Sequence, residues 1–309
     1  MKFVFVVNPR SANGATLRRF EQARPKFRSR LGDIEVRLTE RPRHATELAR
    51  AAVQAGAAAV VAVGGDGTNN EVMNGFFDEQ GGRIDSPTAL GVVTSGTGGD
   101  FRRTFGWSAE PLDDLERLAR FEKKRIDVGR LTCRSAEGGE VVRHFINISS
   151  FGMSGLVVDV VNNSSKALGA KASFLLGSAR TMATYRPQRV RMAMDDGVAV
   201  ERDVTFVAVA NGQYFGGGMW VAPAAKQDDG MFDCVQVVGG GLLFWVRHGL
   251  KIYSGKHVGL PECHVTRCRR VTATPAVAGE QVFIDLDGEG PGILPATWDM
   301  VPACIDLLV

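Results

Sequence analysis

The sequence lacks any long hydrophobic run. No window approaches the roughly 18 consecutive apolar residues that a membrane-spanning helix needs, and the Ala-rich stretch 51–63 is interrupted by Gln54 and Gly56. The apolar run 3–7 at the N-terminus is too short for a secretory signal and predicts a buried strand. We therefore expect a cytoplasmic protein whose contact with a membrane, where it occurs, is peripheral.

Cysteine and net charge are also scarce. The five cysteines form no CxxC pair and are odd in number, which argues against a disulfide framework and favours reduced thiols. Cys263, His264 and Cys268 lie close together, but their spacing suggests no fourth zinc ligand, so strand and turn positions are favoured. The 37 Lys and Arg exceed the 34 Asp and Glu by only three, too few to indicate nucleic acid as the main partner.

What is present is enough apolar material for two domains. The chain has 309 residues, above the size at which a single core usually keeps growing. Its first third alternates predicted strands with predicted helices, which indicates a parallel sheet with helices on both faces. The strands are predicted at 3–7, 34–38, 58–63 and 90–93, and the helices at 16–30, 44–55, 69–77 and 112–124.

From about residue 126 the pattern changes to short β-branched segments separated by Gly, Asp or Asn, as expected for a mainly antiparallel β domain. These segments are 141–148, 190–194, 204–210, 232–238 and 265–274, with helical stretches at 167–185 and 242–253. We predict an α/β domain over 1–126 and a β-rich domain over 127–309, with a cleft between them. Whether the last segment, about 290–309, returns to the first domain is left open.

Three glycine-rich loops follow predicted strands. Gly64 to Gly75 reads GGDGTNNEVMNG, Thr94 to Phe101 reads TSGTGGDF, and Asn8 to Gly14 reads NPRSANG. Glycines allow backbone N–H groups to approach a phosphate, and the helix that follows adds partial positive charge. Loops of this kind at one edge of a parallel sheet are typical of a nucleotide site. The sequence has neither a Walker A loop nor a GxGxxG motif, which disfavours a dinucleotide oxidoreductase.

Asp66 is unusual inside a phosphate cradle. A carboxylate there repels phosphate unless a cation intervenes or the carboxylate handles the proton of an acceptor hydroxyl, which hints at phosphoryl transfer. The alternative is a cap on the next helix.

With these loops and several later motifs, the sequence resembles the diacylglycerol kinase catalytic-domain family, which includes bacterial soluble lipid kinases and sphingosine kinases. The later motifs are IDVG at 126–129, NGQYFGGGMWVAP at 211–223, DDG at 228–230 and DGE at 287–289. The GGDG core is shared with NAD kinases and phosphofructokinases, whereas the FGGGM and DGE motifs select the lipid kinases.

The resemblance implies an ATP site in the cleft and assigns residues to it. Glu289 resembles the catalytic acid, Asp127 matches an acidic residue near it, and Asp66 is the other candidate to manage the acceptor hydroxyl. Mg²⁺ is implied at Asp229, completed by the backbone carbonyls of Lys226 and Met231. The implied nucleotide contacts are Asn8, Pro9, Arg10, Ser11, Gly14, Thr39, Gly64, Gly65, Asp66, Gly67, Thr68, Asn69, Asn70, Gly96 and Thr97. Without the resemblance, Asp127 and Glu289 fit turn or cap roles equally well, and 228–230 is an ordinary hairpin turn.

The expected function is transfer of the γ-phosphoryl group of ATP to a hydroxyl of a diacylglycerol-like lipid. Thr94 and Gly99 stand where relatives commonly have Pro and Asn, which leaves the identity of the acceptor open. The alternatives are an NAD-kinase-like phosphotransferase and a nucleotide- or lipid-binding regulator without turnover.

The expected partners are the lipid substrate and, transiently, the inner membrane surface. Two basic and apolar stretches, 166–186 and 241–253, are candidates to dock there, although packing on the β domain explains each of them as well. Nucleic acid is not expected, and a homodimer is left open.

Overall fold

A computed structural model describes residues 1–95, 99–108, 110–135, 137–157, 185–240 and 247–309. Within these ranges it confirms an N-terminal α/β part followed by a mainly antiparallel β part. The N-terminal strands are β1 (Phe3–Val7), β2 (Ile34–Leu38), β3 (Ala59–Gly64) and β4 (Ala89–Thr94). The helices are α1 (Ala15–Leu31), α2 (His44–Gln54), α3 (Asp66–Asn74), α4 (Asp100–Thr104) and α5 (Pro111–Arg120), and Ser11–Gly14 forms a 3₁₀ turn.

The parallel sheet has the order β2-β1-β3-β4. Every residue of β1, β3 and β4 is buried, because these strands are continuous apolar runs covered by helices on both faces. The strands all point the same way, so the loops after β1, β3 and β4 meet at one edge of the sheet.

The C-terminal part contains twelve strands among the described residues. They are β5 (Lys123–Arg134), β6 (Glu140–Phe145), β7 (Ile148–Gly152), β8 (Gln188–Met194), β9 (Val200–Ala210), β10 (Tyr214–Phe215), β11 (Met219–Trp220), β12 (Phe232–Val238), β13 (Cys263–Cys268), β14 (Arg270–Pro275), β15 (Phe283–Leu286) and β16 (Glu289–Leu308). Apart from the small β10–β11 hairpin, they form one sheet with the N-terminal strands.

Strand β16 connects the two parts. It runs antiparallel to β15, β14 and β5, and its end pairs in parallel with β4 at Leu307 and Leu90. Ile305 and Leu307 are buried in the core on one face of the N-terminal sheet, and Leu308 is buried in the core on the other. The division predicted between residues 126 and 127 falls inside β5.

Several predicted elements differ in their bounds. Helix α3 begins at Asp66 within the glycine-rich loop rather than near Asn69, and α4 was not predicted. Cys263 and Cys268 are the two ends of β13, and all five cysteines are unbridged. The predicted helix 167–185 lies outside the described residues except for Tyr185. The first five residues, 242–246, of the predicted helix 242–253 also lie outside them. No helix in the described ranges is long and apolar enough to cross a bilayer.

Candidate active site

An open cleft of about 210 Å³ lies at the edge of the sheet where the first and third strands end. The Asn8 amide donates a hydrogen bond to Thr68 Oγ1 at 3.2 Å, which joins the loop after β1 to the start of α3. Four of the predicted nucleotide contacts, Asn8, Arg10, Thr39 and Thr68, line this cleft. The cleft is lined by Asn8, Arg10, Thr39, Glu40, Arg41, Pro42, Ala45, Thr68 and Glu71.

The loop between β3 and α3 passes close to its own helix. A Cβ at Gly64 would collide with the Thr68 side chain, so this position requires glycine. The tight turn directs the N-terminus of α3 toward the same edge of the sheet; its first backbone N–H groups have no partner within the helix, and it carries partial positive charge. These features suit a bound phosphate.

Hydrogen bonds also join the loop after β1 to the loop after β4. Ser11 Oγ bonds to the Asn8 carbonyl at 3.0 Å and to Thr16 Oγ1, and Thr16 Oγ1 donates to the Ser95 carbonyl at 2.7 Å. Gly14 precedes α1 with a φ of +84°. The predicted contacts Gly96 and Thr97 lie outside the described residues.

Asp66 connects the loops through its carboxylate. Its two oxygens accept the backbone N–H groups of Asp100 and Phe101, both at 3.0 Å, so Asp66 caps α4 rather than its own helix. The structure thus gives Asp66 a positioning role, and its part in proton transfer stays a prediction.

Asp100 continues this connection into the β part. One carboxylate oxygen pairs with Arg103 at 2.6 Å, and the other accepts the backbone N–H of Gly217 at 2.7 Å. Gly217 has a φ of +85°, which favours glycine in the FGGGM motif. Burial raises the pKa of Asp100, and the neighbouring Asp66 raises it further.

The DGE motif forms the turn from β15 into β16, and its acids lie in different environments. Asp287 accepts hydrogen bonds from the Asn70 amide at 2.8 Å and from the backbone N–H groups of Ile146 and Ile148. Burial raises the pKa of Asp285 and of Asp287 to about 7. The Glu289 side chain is 32% exposed and pairs with Arg143 at 2.8 Å. Glu289 therefore keeps a partly exposed carboxylate, and its catalytic role stays a prediction.

Among the predicted nucleotide contacts, Asn70 bonds directly to the DGE turn. It has no exposed surface, and its amide nitrogen donates to Asp287 and to the His144 carbonyl. Asn74, one turn later, donates to Asn70 and to the same carbonyl. Asn70 thus joins α3 to the DGE turn, and its contact with nucleotide stays a prediction.

Asp127 is placed differently from its prediction. It is 2% exposed, and its two oxygens accept the backbone N–H groups of Gly230 and Ala303, both at 2.7 Å. No described contact joins it to Glu289. Asp127 therefore holds the turn 228–230 against β16, and its catalytic role stays a prediction.

The turn 228–230 does not fit the predicted Mg²⁺ site as it stands. Asp229 Oδ2 pairs with the Arg267 guanidinium at 2.5 Å, and Oδ1 accepts the backbone N–H of Met231 at 3.1 Å. Lys124 pairs with the neighbouring Asp228 at 2.8 Å. The Arg267 guanidinium therefore occupies the Asp229 carboxylate, which was to bind Mg²⁺ together with the carbonyls of Lys226 and Met231. Among the described residues, no group of three or more His, Cys, Asp or Glu is arranged to hold a metal.

Sequence reasoning missed two charged residues of the site. Glu71 lines the cleft and accepts the Ala45 backbone N–H at 3.1 Å, and burial raises its pKa. Its position within the GGDGTNNE loop was the available signal. Arg143 lies on β6, far from any motif, and no local pattern marked it as the partner of Glu289.

Two family models match the chain. One describes a diacylglycerol kinase catalytic domain and matches residues 2–131; the other describes a YegS C-terminal NAD kinase beta sandwich-like domain and matches residues 147–309. A diacylglycerol kinase of Bacillus subtilis is 27% identical over 292 residues, which are 94% of this chain and 90% of that protein. A diacylglycerol kinase of Mycobacterium tuberculosis is 27% identical over 308 residues, which are 99% of this chain and 94% of that protein.

Solved structures show the same fold. A diacylglycerol kinase from Bacillus anthracis aligns with a TM-score of 0.72 at 20% identity, covering 99% of this chain and 96% of that one. An NAD kinase from Archaeoglobus fulgidus aligns with a TM-score of 0.51 at 15% identity, covering 100% of this chain and 94% of that one.

Proposed function

Because this chain belongs to the diacylglycerol kinase catalytic-domain family, we propose that it transfers the γ-phosphoryl group of ATP to a hydroxyl of a diacylglycerol-like lipid. The family makes the chain a lipid kinase; the nucleotide and the acceptor are the proposal. The observation that carries it is the Asn70–Asp287 hydrogen bond, through which the helix at the nucleotide cleft touches the turn that presents Glu289.

On the nucleotide side, the phosphates of ATP lie at the N-terminus of α3, beside Asn8 and Thr68. Backbone N–H groups there supply positive potential without a bulky side chain. Arg10 adds a cation to the same cleft. Magnesium enters as part of the Mg·ATP substrate, where it neutralises phosphate charge.

On the acceptor side, Glu289 is the general base. Its carboxylate takes the proton of the lipid hydroxyl as the hydroxyl oxygen bonds to the γ-phosphorus, and ADP leaves with the electrons of the broken bond. Arg143 orients the Glu289 carboxylate through the 2.8 Å ion pair. Asp285 and Asp287 hold the turn, since their oxygens bond within the protein.

The test is transfer of labelled γ-phosphate from Mg·ATP into mixed micelles that contain diacylglycerol, monoacylglycerol, phosphatidylglycerol and sphingosine, with NAD in a parallel reaction. Label in diacylglycerol supports the proposal. Label only in NAD favours the NAD-kinase alternative, to which the distant fold likeness points. ATP binding without transfer to any acceptor favours the regulator.

Glu289→Gln tests the proposed base. We expect kcat to fall by about 10²-fold or more, the usual contribution of a general base, while the affinity for ATP changes little, because the carboxylate acts in the transition state. Glu137→Gln, at an exposed residue of the β5–β6 connection, is the matched control and should keep full activity. Undiminished turnover in Glu289→Gln would remove Glu289 from the mechanism.

A further inference from the structure

Two large apolar side chains are exposed side by side on the 3₁₀ turn Gly249–Ser254. Leu250 is 86% exposed and Tyr253 is 55% exposed. A 3₁₀ helix has three residues per turn, so residues three apart lie above one another along one edge. Two exposed cations flank this pair in the sequence, Arg247 before the turn and Lys256 after Gly255, which has a φ of +69°. We call these four residues the docking edge.

The other side of this segment is firmly packed. Ile252 is 4% exposed and belongs to a core with Val221 and Ala222. His257 is 2% exposed, and its Nε2 donates to the Val221 carbonyl at 2.9 Å. The segment is therefore held against the β part, and Leu250 and Tyr253 are directed outward by a fixed backbone.

The charge around the docking edge is strongly positive. Residues 247–261 contain three cations, Arg247, Lys251 and Lys256, and no Asp or Glu. No acid in the described part of the chain forms an ion pair with Arg247, Lys251 or Lys256. Arg267, by contrast, is paired with Asp229. Two exposed apolar side chains, flanked by cations that have no ion-pair partner among the described residues, match the interface of an anionic bilayer, where acyl chains lie beneath negatively charged headgroups.

The docking edge is also connected to the candidate active site. The core that holds Ile252 continues into Val221, which directly follows the β10–β11 hairpin. In that hairpin, the Gly217 N–H bonds to Asp100, whose own backbone N–H is capped by Asp66. A surface docked at this edge is thus linked by a short series of contacts to the loops of the nucleotide cleft.

We propose that the docking edge, Arg247, Leu250, Tyr253 and Lys256, binds the surface of an anionic lipid bilayer. Leu250 enters the boundary between headgroups and acyl chains, Tyr253 lies at the headgroup level, and the two cations contact lipid phosphates. This docking would bring the enzyme to its lipid acceptor, and only that biological role depends on the proposed function. The docking itself requires neither ATP nor turnover.

The experiment is co-sedimentation of the full chain, without ATP, with vesicles of phosphatidylcholine alone or of phosphatidylcholine mixed with phosphatidylglycerol. We expect binding to the anionic vesicles only, weakened by salt because the cations contribute. Leu250→Ser should weaken this binding about tenfold or more, as expected when one leucine side chain can no longer be buried. Val198→Ser is the matched control, since Val198 is 89% exposed near the β8–β9 connection, and it should bind like the wild type.

Wild-type binding by Leu250→Ser would overturn the proposal, and so would an equal loss in Val198→Ser. Self-association that Leu250→Ser abolishes, without vesicle binding by the wild type, would assign the edge to a second copy of the chain and also overturn it. Failure of the proposed function looks different, because it would appear as no phosphoryl transfer to lipid while Leu250 still governs vesicle binding. Transfer to a short-chain, water-soluble diacylglycerol should be equal in wild type and Leu250→Ser.

Discussion

At the scale of single residues, hydrogen bonding separates Asp285 and Asp287, whose oxygens bond within the turn and to neighbouring strands, from Glu289, whose carboxylate pairs with Arg143. Asp285 is 2% exposed, accepts hydrogen bonds from the Gly288 N–H and Ser150 Oγ, and has a pKa raised to about 7 by burial. A raised folded-state pKa means that the folded protein binds a proton that the unfolded chain has lost. The resulting stability is present below the unfolded-state pKa and is lost as the pH rises through the folded-state value.

Replacing Asp285 with Asn tests this assignment. We expect the free energy of unfolding of the wild type to fall as the pH rises from about 4 to about 7, and this slope to be smaller in Asp285→Asn, because the amide stays neutral. Denaturant unfolding over this pH range measures both. Asp299→Asn, at an exposed carboxylate beside Arg270, is the control and should keep the wild-type slope. Equal slopes in all three proteins would show that Asp285 is ionised when folded.

The sequence motifs located the acidic side chains correctly but did not show which contacts each of them makes. The DGE motif marked Glu289, and the structure leaves its carboxylate partly exposed. The motif around Asp127 marked an acid with equal force, yet its oxygens bond to Gly230 and Ala303. Those partners lie 103 and 176 residues away, so no local pattern could show that the carboxylate is already engaged.

At the scale of elements, α3 begins in the glycine-rich loop after β3 and also carries the link to the DGE turn. Asn70→Ala would remove the amide that bonds to Asp287 and to the His144 carbonyl. We expect a loss of about 1–3 kcal/mol in unfolding free energy, since buried acceptors lose their donor. We also expect a lower kcat with little change in nucleotide affinity, because Asn70 positions the turn and does not line the cleft.

Asn74→Ala is the matched control for this prediction. Asn74 is also buried on α3, and its side-chain hydrogen bonds among the described residues go to Asn70 and His144 and not to the DGE turn. It should lose stability and retain more of its kcat than Asn70→Ala. Equal kcat values in the two variants, measured by initial rates with saturating ATP and lipid, would contradict a positioning role of Asn70 through Asp287.

The strands of the N-terminal sheet could be predicted because their apolar runs end at Gly, Pro or polar residues. Predicted and observed bounds coincide for β1 and β2 and differ by one residue at each end for β3 and β4. Helix α4 was missed because it has only five residues, and its start depends on a cap from Asp66, which is distant in sequence. Local patterns cannot report caps supplied from another loop.

At the scale of the whole molecule, one sheet runs through both parts of the chain. Leu307 pairs with Leu90 of β4 and with Lys124 of β5, and it has no exposed surface. A chain whose two parts share a strand should unfold as a unit, because breaking β16 removes pairing partners on both sides. If the predicted domains 1–126 and 127–309 are independent folding units, a destabilising substitution should unfold one of them without the other.

Leu307→Ala distinguishes these outcomes. Truncating a fully buried leucine typically costs about 2–5 kcal/mol, and we expect the amides of β1 and β3 and those of β9 and β12 to lose the same hydrogen-exchange protection. Leu38→Ala, at a leucine of the edge strand that is 43% exposed, should change protection little in either set. Loss confined to β1 and β3 would show that the parts are separate folding units. A shared loss would mean that the nucleotide loops and the DGE turn keep their relative positions only while β16 is paired along its whole length.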